Sequence, residues 1–398
     1  GDAADTGVGD IRFVRLMVRL KERYGERVHL IIGNRDCNKL RLSAELTEEA
    51  LEKALEDKSF PYWLEEKDRV TPKQFLEKEN LPNTLPNRLK WILNHTMGSE
   101  GAFDRRRMEL AIIKGRADGA DVNAAEVLKS YEDKVSDEDV LQSYKNMVDY
   151  KHEDGFMFKY LEKAELACMF GKVLFVHGAV TKDNVGALPG GGKSETVEDW
   201  VKQLNGFAEK ELEAYKSKPI GSGPFDYKDR PAFHLMDYGV PGGADGRSVI
   251  YSGFNKPDGN PGHLSDHVVN FLKKGDKVKL ICAGHVPHGD CPSVVKGQVA
   301  HFLTSDTSYS HFGFKTSWGV DNRGAAVGEV LVMEDGSAEC YGTLADGSKY
   351  QYELAAPGKA GGDPFVGREC KKGGWVKCKL VNPDKEGKVY VACLAESG

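Results

Sequence analysis

The N-terminal part of the chain contains the pattern that most constrains the fold, a helical pattern leading directly into a buried strand. Residues 10–24 place Val14, Met17 and Val18 on one face, with arginines and lysines elsewhere, which indicates an amphipathic helix. Residues 27–36, RVHLIIGNRD, indicate a buried strand that ends in a Gly-Asn turn. Loop, helix, strand and loop form half of a repeating α/β unit, whose sites lie at the carboxyl ends of strands. The pattern therefore predicts an α/β fold.

The stretch 45–170 interrupts this alternation because its pattern is mainly helical. Thr71 and Pro72 supply an N-cap and a proline at the first helical position. Ser136 precedes a first turn rich in acidic residues, which is typical of another helix start.

Strand patterns return after the helical stretch. The segments KVLFVHGAV and DKVKLICAGHVPHG are rich in β-branched residues, and a helix pattern begins between them at Thr196. From about Gln298 short strands follow, with hairpin turns at Asp335-Gly336 and Asp346-Gly347. We predict three units: a core of 1–44 and 171–357, a mainly helical insertion of 45–170, and a small β-rich C-terminal extension of 358–398.

Charge and cysteine content narrow the classes of partner. The net charge of −6 provides no basic field for a nucleic-acid backbone or an anionic lipid surface, so neither is expected as a partner. No apolar run approaches the roughly 18 residues that a membrane span needs. The eight cysteines include no CxxC pair, which favours reduced thiols in an intracellular compartment. Because we expect the natural N-terminus to be missing, a targeting signal is not assessable.

Four short segments place Asp, Asn or His beside glycine: Gly1-Asp2, Gly33-Asn34-Arg35-Asp36, His177-Gly178 and Gly284-His285. A glycine neighbour lets backbone and ligand approach closely. A carboxylate, an amide oxygen and two imidazoles suit a divalent metal that activates water. Each segment alone is a weak signal, because a single Gly-His pair is more often structural.

The order of these segments is more specific than any one of them. The order GDxxDxG, GNxD, HG and GH resembles the calcineurin-like metallophosphoesterase superfamily, whose pattern is DxH, GDxxDRG, GNH[ED], H and GH. The 32-residue step from Asp2 to Asn34, containing one helix and one strand, is the spacing of its Ser/Thr phosphatase branch. The resemblance covers about 1–45 and 170–335, and it implies a sandwich of two mixed β-sheets flanked by helices.

The resemblance also implies a metal centre. Asp2 would bridge two divalent ions, and Asn34, His177 and His285 would complete the shell of the second. The ions, manganese, iron, zinc or magnesium, would bind phosphate oxygens and supply a hydroxide for in-line attack. The implied substrate is a phosphorylated small molecule, a nucleotide or a phosphoprotein.

Two departures from the family pattern bear on activity. No D-x-H occurs in this chain, so the first metal site is incomplete in it. Arg35 stands where the family has the histidine that protonates the leaving group. An arginine does not deliver a proton near neutral pH, but its guanidinium can hold a phosphate. The family's second aspartate orients that histidine, so Asp5 is expected to pair with Arg35 here.

Four further residues are weaker candidates for the surroundings of the site or for substrate contacts. His288 and Asp290 follow the Gly-His pair, and Asp306 follows the strand pattern GQVAHFLT. Arg105 lies in an arginine run of the helical stretch and could reach a substrate from above the site. The alternatives are an ordinary loop or turn for the first three and a solvated helix face for Arg105.

Two functions of different classes follow. The first is a metal-dependent hydrolase of a phosphomonoester or phosphoanhydride, with Arg35 and Asp5 in catalytic roles. The second is a catalytically impaired protein of the same fold that acts as a binding or scaffold subunit, with a protein partner at the insertion or the C-terminal extension. A strand ending in D-x-H upstream of Gly1 would favour the hydrolase.

Overall fold

A computed structural model describes the chain except at residues 6, 53–66, 68, 120–122, 218–226, 255–260, 276, 288, 308–313, 317–318, 322–325, 371–374, 382–388 and 394–398. The fold is mixed α/β. The helices are α1 Asp10–Tyr24, α2 Asn34–Asn38, α3 Leu42–Glu45, α4 Glu48–Glu52, α5 Pro72–Lys78, α6 Leu85–His95, α7 Ala102–Ala117, α8 Ala124–Tyr131, α9 Asp137–Met147, α10 Phe156–Lys163, α11 Val197–Lys216, α12 Phe233–Tyr238 and α13 Asp266–Lys273. The strands are β1 Leu30–Ile31, β2 Ala164–Glu165, β3 Ala167–Phe170, β4 Val173–Val176, β5 Leu280–Ala283, β6 Ser293–Val295, β7 His301–Thr304, β8 Phe314–Thr316, β9 Gly319–Asp321, β10 Val327–Val332, β11 Ala338–Thr343, β12 Lys349–Leu354, β13 Trp375–Val381 and β14 Val389–Cys393.

The local signals at helix starts are confirmed. Thr71 caps α5 by accepting a hydrogen bond from the Gln74 amide, and Ser136 caps α9 in the same way. The helix α1 has no such cap of its own. Its first amides, those of Ile11 and Arg12, instead donate to the carboxylate of Glu109 in α7, at 3.0 Å each. The N-terminal helix is therefore anchored by a side chain that lies about a hundred residues away in sequence.

The central sheet has the strand order β3-β4-β5-β7-β6. Strands β4, β5 and β7 are parallel neighbours, and the two outer strands, β3 and β6, run antiparallel to them. The carboxyl ends of the three parallel strands consequently lie at one edge. The segments His177-Gly178 and Gly284-His285 follow β4 and β5 at that edge.

A second five-stranded sheet, β10-β11-β12-β13-β14, is antiparallel at each described pairing. This arrangement differs from the mixed second sheet that the family resemblance implies. Side chains of both sheets form one buried cluster, in which Val173, Leu280 and Leu303 of the central sheet meet Tyr352 and Cys378 of the second sheet. The two sheets therefore pack face to face, and the other face of the central sheet joins the main core together with the helices.

Two of the three predicted unit boundaries fall within sheets, and the third, after residue 44, falls within α3. The boundary at 170 separates β3 from the sheet that it shares with β4, and the boundary at 358 separates β13 from β12. Buried side chains of the helical stretch, such as Leu89 and Tyr144, belong to the same hydrophobic cluster as Val14 of α1. The helical stretch thus shares its core with the rest of the chain.

A two-stranded parallel sheet of β1 and β2 leads into the candidate site, because the Gly33-Asn34 segment follows β1 directly. The bend between β2 and β3 is held by Asn205 of α11. Its side-chain oxygen accepts from the amides of Leu166 and Ala167, and its amide nitrogen donates to the Ala167 carbonyl at 2.9 Å. One polar side chain therefore sets the direction in which β3 leaves β2.

None of the described helices is both long enough and apolar enough to cross a bilayer.

We expect Asn205→Ala to lower the free energy of unfolding by about 1–3 kcal/mol, because it leaves buried backbone groups of residues 166 and 167 without their partners. Urea unfolding followed by circular dichroism measures the change. Gln203→Ala is the matched control, since this residue of the same helix makes one hydrogen bond, to Ser194. Equal effects of the two substitutions would contradict the assigned role of Asn205.

Candidate metal centre

Four side chains from the four glycine-flanked segments meet at the edge of the central sheet. The Asp2 Oδ2 atom lies 3.2 Å from His177 Nε2. The His177 and His285 rings are in edge-to-face contact, with centroids 5.2 Å apart. One amide atom of Asn34 faces all three, at 3.1 Å from Asp2 Oδ2, 3.2 Å from His177 Nε2 and 2.9 Å from His285 Nδ1. Residues separated by up to 283 positions in sequence thus form one cluster.

The backbone around this cluster is unusual for its residue types. Asp2 and His285 both have positive φ, 55° and 66°, although neither is a glycine. Such conformations carry strain and concentrate at functional sites. Gly33 is needed for close approach, since a Cβ there would lie 2.2 Å from the Asp2 amide nitrogen. The backbone is therefore arranged to bring Asp2 against Asn34.

Asp36 connects the two loops that carry Asp2 and Asn34. Its buried carboxylate accepts hydrogen bonds from three backbone amides, those of Asp2 and Ala3 at 2.9 Å and that of Gly33 at 2.8 Å. The predicted site residues do not include Asp36, although it belongs to the GNxD segment. The sequence signal that could have identified Asp36 is its position, three residues after Gly33. A carboxylate at this spacing accepts a hydrogen bond from the backbone amide of the residue that caps the helix.

The cluster contains mostly lone-pair donors. With no cation present, the Asn34 amide suits the site with its nitrogen inward, because that nitrogen can donate to the carboxylate and the imidazoles. With a cation present, the amide oxygen takes the inward position and joins three other donors. Adjacent ligands of a cation bound at about 2.1 Å lie about 3 Å apart, which matches the distances of 2.9–3.2 Å around the amide atom. The residues therefore fit a divalent ion.

Electrostatics favour the same ligand forms. Burial lowers the pKa of His285 to about 4, assisted by the neighbouring His177, so its imidazole is neutral near pH 7. Burial opposes ionisation of Asp2, but His177 and Arg35 outweigh it and hold the pKa of Asp2 well below its usual range. A neutral imidazole and an ionised carboxylate are the forms that bind metals.

Two groups of three titratable side chains within the described residues have ligand atoms within 4.8 Å of one another. The first is Asp2, His177 and His285. A second group, His29, Glu165 and Cys168, does not share a residue with it. The described residues therefore supply donors for one ion at the Asp2 cluster.

Arg35 lies at the rim of the cluster. Its backbone amide donates to Asp2 Oδ1 at 2.9 Å, and its guanidinium donates to the carbonyl of Gly98 at 2.9 Å. The guanidinium Nε lies 3.7 Å from Asp2 Oδ2. The side chain is 28% exposed, so a ligand in the cavity can reach it. Arg35 is thus held beside the donor cluster, where its side chain forms part of the cavity wall.

The predicted Asp5–Arg35 ion pair is wrong. Asp5 is fully buried and forms its ion pair with Lys39, which is also buried. The Ser99 hydroxyl donates to the same carboxylate at 2.6 Å. Lys39 is one helical turn beyond Arg35, so its amine reaches under the loop while Arg35 faces the cavity. Asp5 therefore supports the loop from below.

Arg105 also acts beneath the site. It is 6% exposed, and its guanidinium donates to the backbone carbonyls of Asp5 and Glu100. It does not line the cavity, which corrects its prediction as a substrate contact. Its neighbour Arg106 is buried against the Tyr144 ring, with the guanidinium carbon 4.4 Å from the ring centroid.

The remaining candidates lie in different places. Asp290 is directed toward the second sheet, where its carboxylate accepts from the Ala345 amide at 3.0 Å, and so it is not part of the cluster. Asp306 lines the cavity beside Ser305, at the end of β7. His288 lies outside the described residues.

A cavity of about 780 Å³ opens onto the cluster. Its polar wall contains Asp2, Arg35, His177, His285 and Asp306. Its apolar wall is formed by side chains of both sheets, including Phe175, Leu303 and Val330. The volume is sufficient for a small organic phosphate or a nucleotide.

Comparison of the chain with protein-family models, with curated proteins and with solved structures finds no match. The functional argument therefore rests on the chemistry and geometry of the cluster.

We expect Lys39→Met to destabilise the protein by about 3–5 kcal/mol, because it leaves the buried Asp5 carboxylate without its cation. The double variant Asp5→Asn/Lys39→Met should recover part of this loss, as measured by chemical denaturation. Lys78→Met is the control, since Lys78 is paired on the surface with Glu79. A loss for Lys39→Met as small as that of the control would contradict a buried ion pair.

Asp10 should give the wild type a characteristic pH dependence. Burial raises the pKa of Asp10 to about 6 from 3.8, against the lowering effect of Arg106. Between about pH 4 and 6 the folded state holds a proton that the unfolded state releases, so this residue's contribution to stability falls as pH rises. Asp10→Asn removes the titration. From pH 4 to pH 7 the free energy of unfolding of the variant should rise relative to that of the wild type by up to about 3 kcal/mol. If the two free energies change with pH in parallel, a raised pKa of Asp10 is excluded.

Proposed function

We propose that the chain is a metal-dependent hydrolase of a phosphomonoester or phosphoanhydride, with the fold of the calcineurin-like metallophosphoesterases. The observation that carries the proposal is the convergence of Asp2, Asn34, His177 and His285 on one point. These donors come from four glycine-flanked segments whose order matches the family pattern. Desolvation of polar groups and backbone strain both cost free energy, and in proteins they are concentrated at functional sites. Their presence at this cluster supports a ligand-binding role.

The architecture supports the same proposal. Two sheets pack face to face with helices on the outer face of the central sheet, and the cluster lies at the carboxyl ends of its parallel strands. Sites of α/β proteins lie at this edge. The antiparallel second sheet differs from the mixed sheet of the family pattern. Its strand β10 contributes to the cavity wall, and in this proposal the second sheet helps to shape the substrate site.

Asp2, Asn34, His177 and His285 would hold a divalent ion. When bound, such an ion polarises a phosphoryl oxygen and lowers the pKa of a water molecule. The guanidinium of Arg35 would hold a second phosphoryl oxygen. It presents several N–H donors, and the donor bonded to the Gly98 carbonyl leaves others for the phosphate. The tether to Gly98 limits its movement, so the positive charge is in place before negative charge develops in the transition state.

The side chain of Arg35 also limits the leaving group. A guanidinium does not release a proton near neutral pH, and both imidazoles of the cluster are metal donors in this proposal. The departing oxygen must therefore leave with little help from an acid. Substrates with stable anionic leaving groups, such as phosphoanhydrides, meet that requirement better than alkyl phosphates.

A second function, a binding or scaffold subunit without turnover, is favoured by one observation. The Arg35 Nε lies 3.7 Å from Asp2 Oδ2 and neutralises part of the charge that would otherwise attract a cation. If the guanidinium replaces the ion, the chain binds phosphate-bearing partners without hydrolysing them. Metal content and turnover separate the two functions.

Purified protein should contain at least one manganese, iron, zinc or magnesium ion per chain and hydrolyse p-nitrophenyl phosphate or a dinucleoside polyphosphate. We expect Asp2→Asn and His285→Ala to lower metal affinity by more than about 10-fold and to abolish turnover. Arg35→Ala should lower kcat by about 100-fold to 1000-fold with the metal retained. Metal analysis and steady-state kinetics measure both quantities.

Asp290→Asn is the matched control, because this carboxylate lies outside the cavity wall and contacts the second sheet. It should keep both metal and turnover. Less than one metal per chain together with no turnover would reject the hydrolase, whereas turnover that survives Asp2→Asn would assign the activity to a contaminant.

A further inference from the structure

Three different metal-ligand types meet at a second place in the molecule. The ring nitrogen of His29, a carboxylate oxygen of Glu165 and the sulfur of Cys168 all lie within 4.8 Å of one another. None of the three residues belongs to the Asp2 cluster or to the cavity beside it. The group therefore needs an explanation of its own.

The strand pairing brings the three residues together. In the parallel pair β1–β2, Ile31 is opposite Glu165, so His29, two residues before Ile31, lies on the same face as Glu165. After the bend that Asn205 holds, the sulfur of Cys168 in β3 lies within 4.8 Å of the His29 and Glu165 ligand atoms. A nitrogen, an oxygen and a sulfur thus converge by virtue of backbone geometry, which the fold already stabilises.

The contacts of the group leave coordination capacity available. His29 Nδ1 and Glu165 Oε2 are 2.8 Å apart, and both side chains are about one-third exposed, at 36% and 30%. Cys168 is 4% exposed, and its sulfur has a weak 3.8 Å contact with the carbonyl of its own neighbour, Met169. An ion can approach from the solvent side through His29 and Glu165 and meet the thiol behind them.

We propose that His29, Glu165 and Cys168 form a zinc-binding site. Zinc accepts imidazole nitrogen, carboxylate oxygen and thiolate sulfur in one tetrahedral shell, whereas magnesium and calcium require oxygen ligands. On binding, the S–H proton of Cys168 passes to solvent, a sulfur–zinc bond forms, and one water remains as the fourth ligand. The bound ion connects β1 to β2 and β3, and β1 leads into the Gly33-Asn34 loop. The zinc site therefore stabilises the strand that leads into Asn34 of the Asp2 cluster.

The test uses the full chain stripped of metal and titrated with Co²⁺ and with Zn²⁺. Cobalt bound by a thiolate gives a sulfur-to-metal charge-transfer absorption, which the nitrogen and oxygen donors of the Asp2 cluster do not give. The wild type should show this absorption and lose it on addition of Zn²⁺. Zn²⁺ should also raise the Tm of the wild type.

Three variants decide the assignment. Cys168→Ser should abolish the cobalt–thiolate absorption. His29→Ala, a change at a partly exposed residue, should weaken cobalt binding, followed by that absorption, by at least about 10-fold without loss of the fold. Cys370→Ser is the matched control, since this partly exposed thiol lies outside the group and its replacement should leave the absorption unchanged.

Asp2→Asn separates this proposal from the proposed hydrolase, because it should leave the thiolate absorption intact whether or not the chain has phosphoesterase activity. An absent charge-transfer band in the wild type, or a band that persists in Cys168→Ser, would overturn the zinc site. If Cys168→Ser does not fold, an unchanged cobalt affinity of the thiolate band in His29→Ala overturns it equally, because the donors of the Asp2 cluster give no such band.

Discussion

The carboxylate of Asp36 makes the interaction on which the candidate site depends. It accepts three backbone amides, from Gly33 in the loop after β1 and from Asp2 and Ala3 in the N-terminal loop. This side chain bridges two loops that share no strand pairing within the described residues, and the Arg35 amide adds a second link by donating to Asp2 Oδ1. Burial strengthens hydrogen bonds of this kind, because the surrounding dielectric is low. Asp2 can therefore retain a strained backbone conformation while facing Asn34.

A layer of buried charges supports these loops from below. The Asp5–Lys39 ion pair holds the N-terminal loop against α2, and the Arg105 guanidinium holds the Asp5 carbonyl. Glu109 of the same helix, α7, receives the first amides of α1. Buried charges of this kind are weak sources of net stability, but removing one partner leaves the other unpaired at high cost. The helical stretch thus contributes to the site by positioning its loops.

The two candidate ligand groups found within the described residues each have one member beside the same short strand. The strand β1 has His29 immediately before it and the Gly33-Asn34 loop just after it. Its pairing with β2 and the Asn205-held bend into β3 determine where both ends lie. A single two-residue strand therefore links the position of Asn34 in the Asp2 cluster to the position of His29 in the second group.

The sequence alone determined the elements whose cause is local. The apolar face of α1 and the caps at Thr71 and Ser136 arise from residues within about a turn of one another, so their patterns predict them. The glycine-flanked order of Asp2, Asn34, His177 and His285 likewise predicted a cluster, because strand ends of an α/β sheet meet at one edge.

Only the tertiary structure decided which partners the charged residues take. The Lys39 partner of Asp5, the backbone contacts of Arg105 and the direction of Asp290 toward the second sheet depend on contacts between elements distant in sequence. The pairing of β3 with β4 and of β12 with β13 crosses two of the three predicted boundaries for the same reason. Local patterns specify which face of a helix or strand is apolar. The packing of these elements against one another decides which polar side chains come into contact.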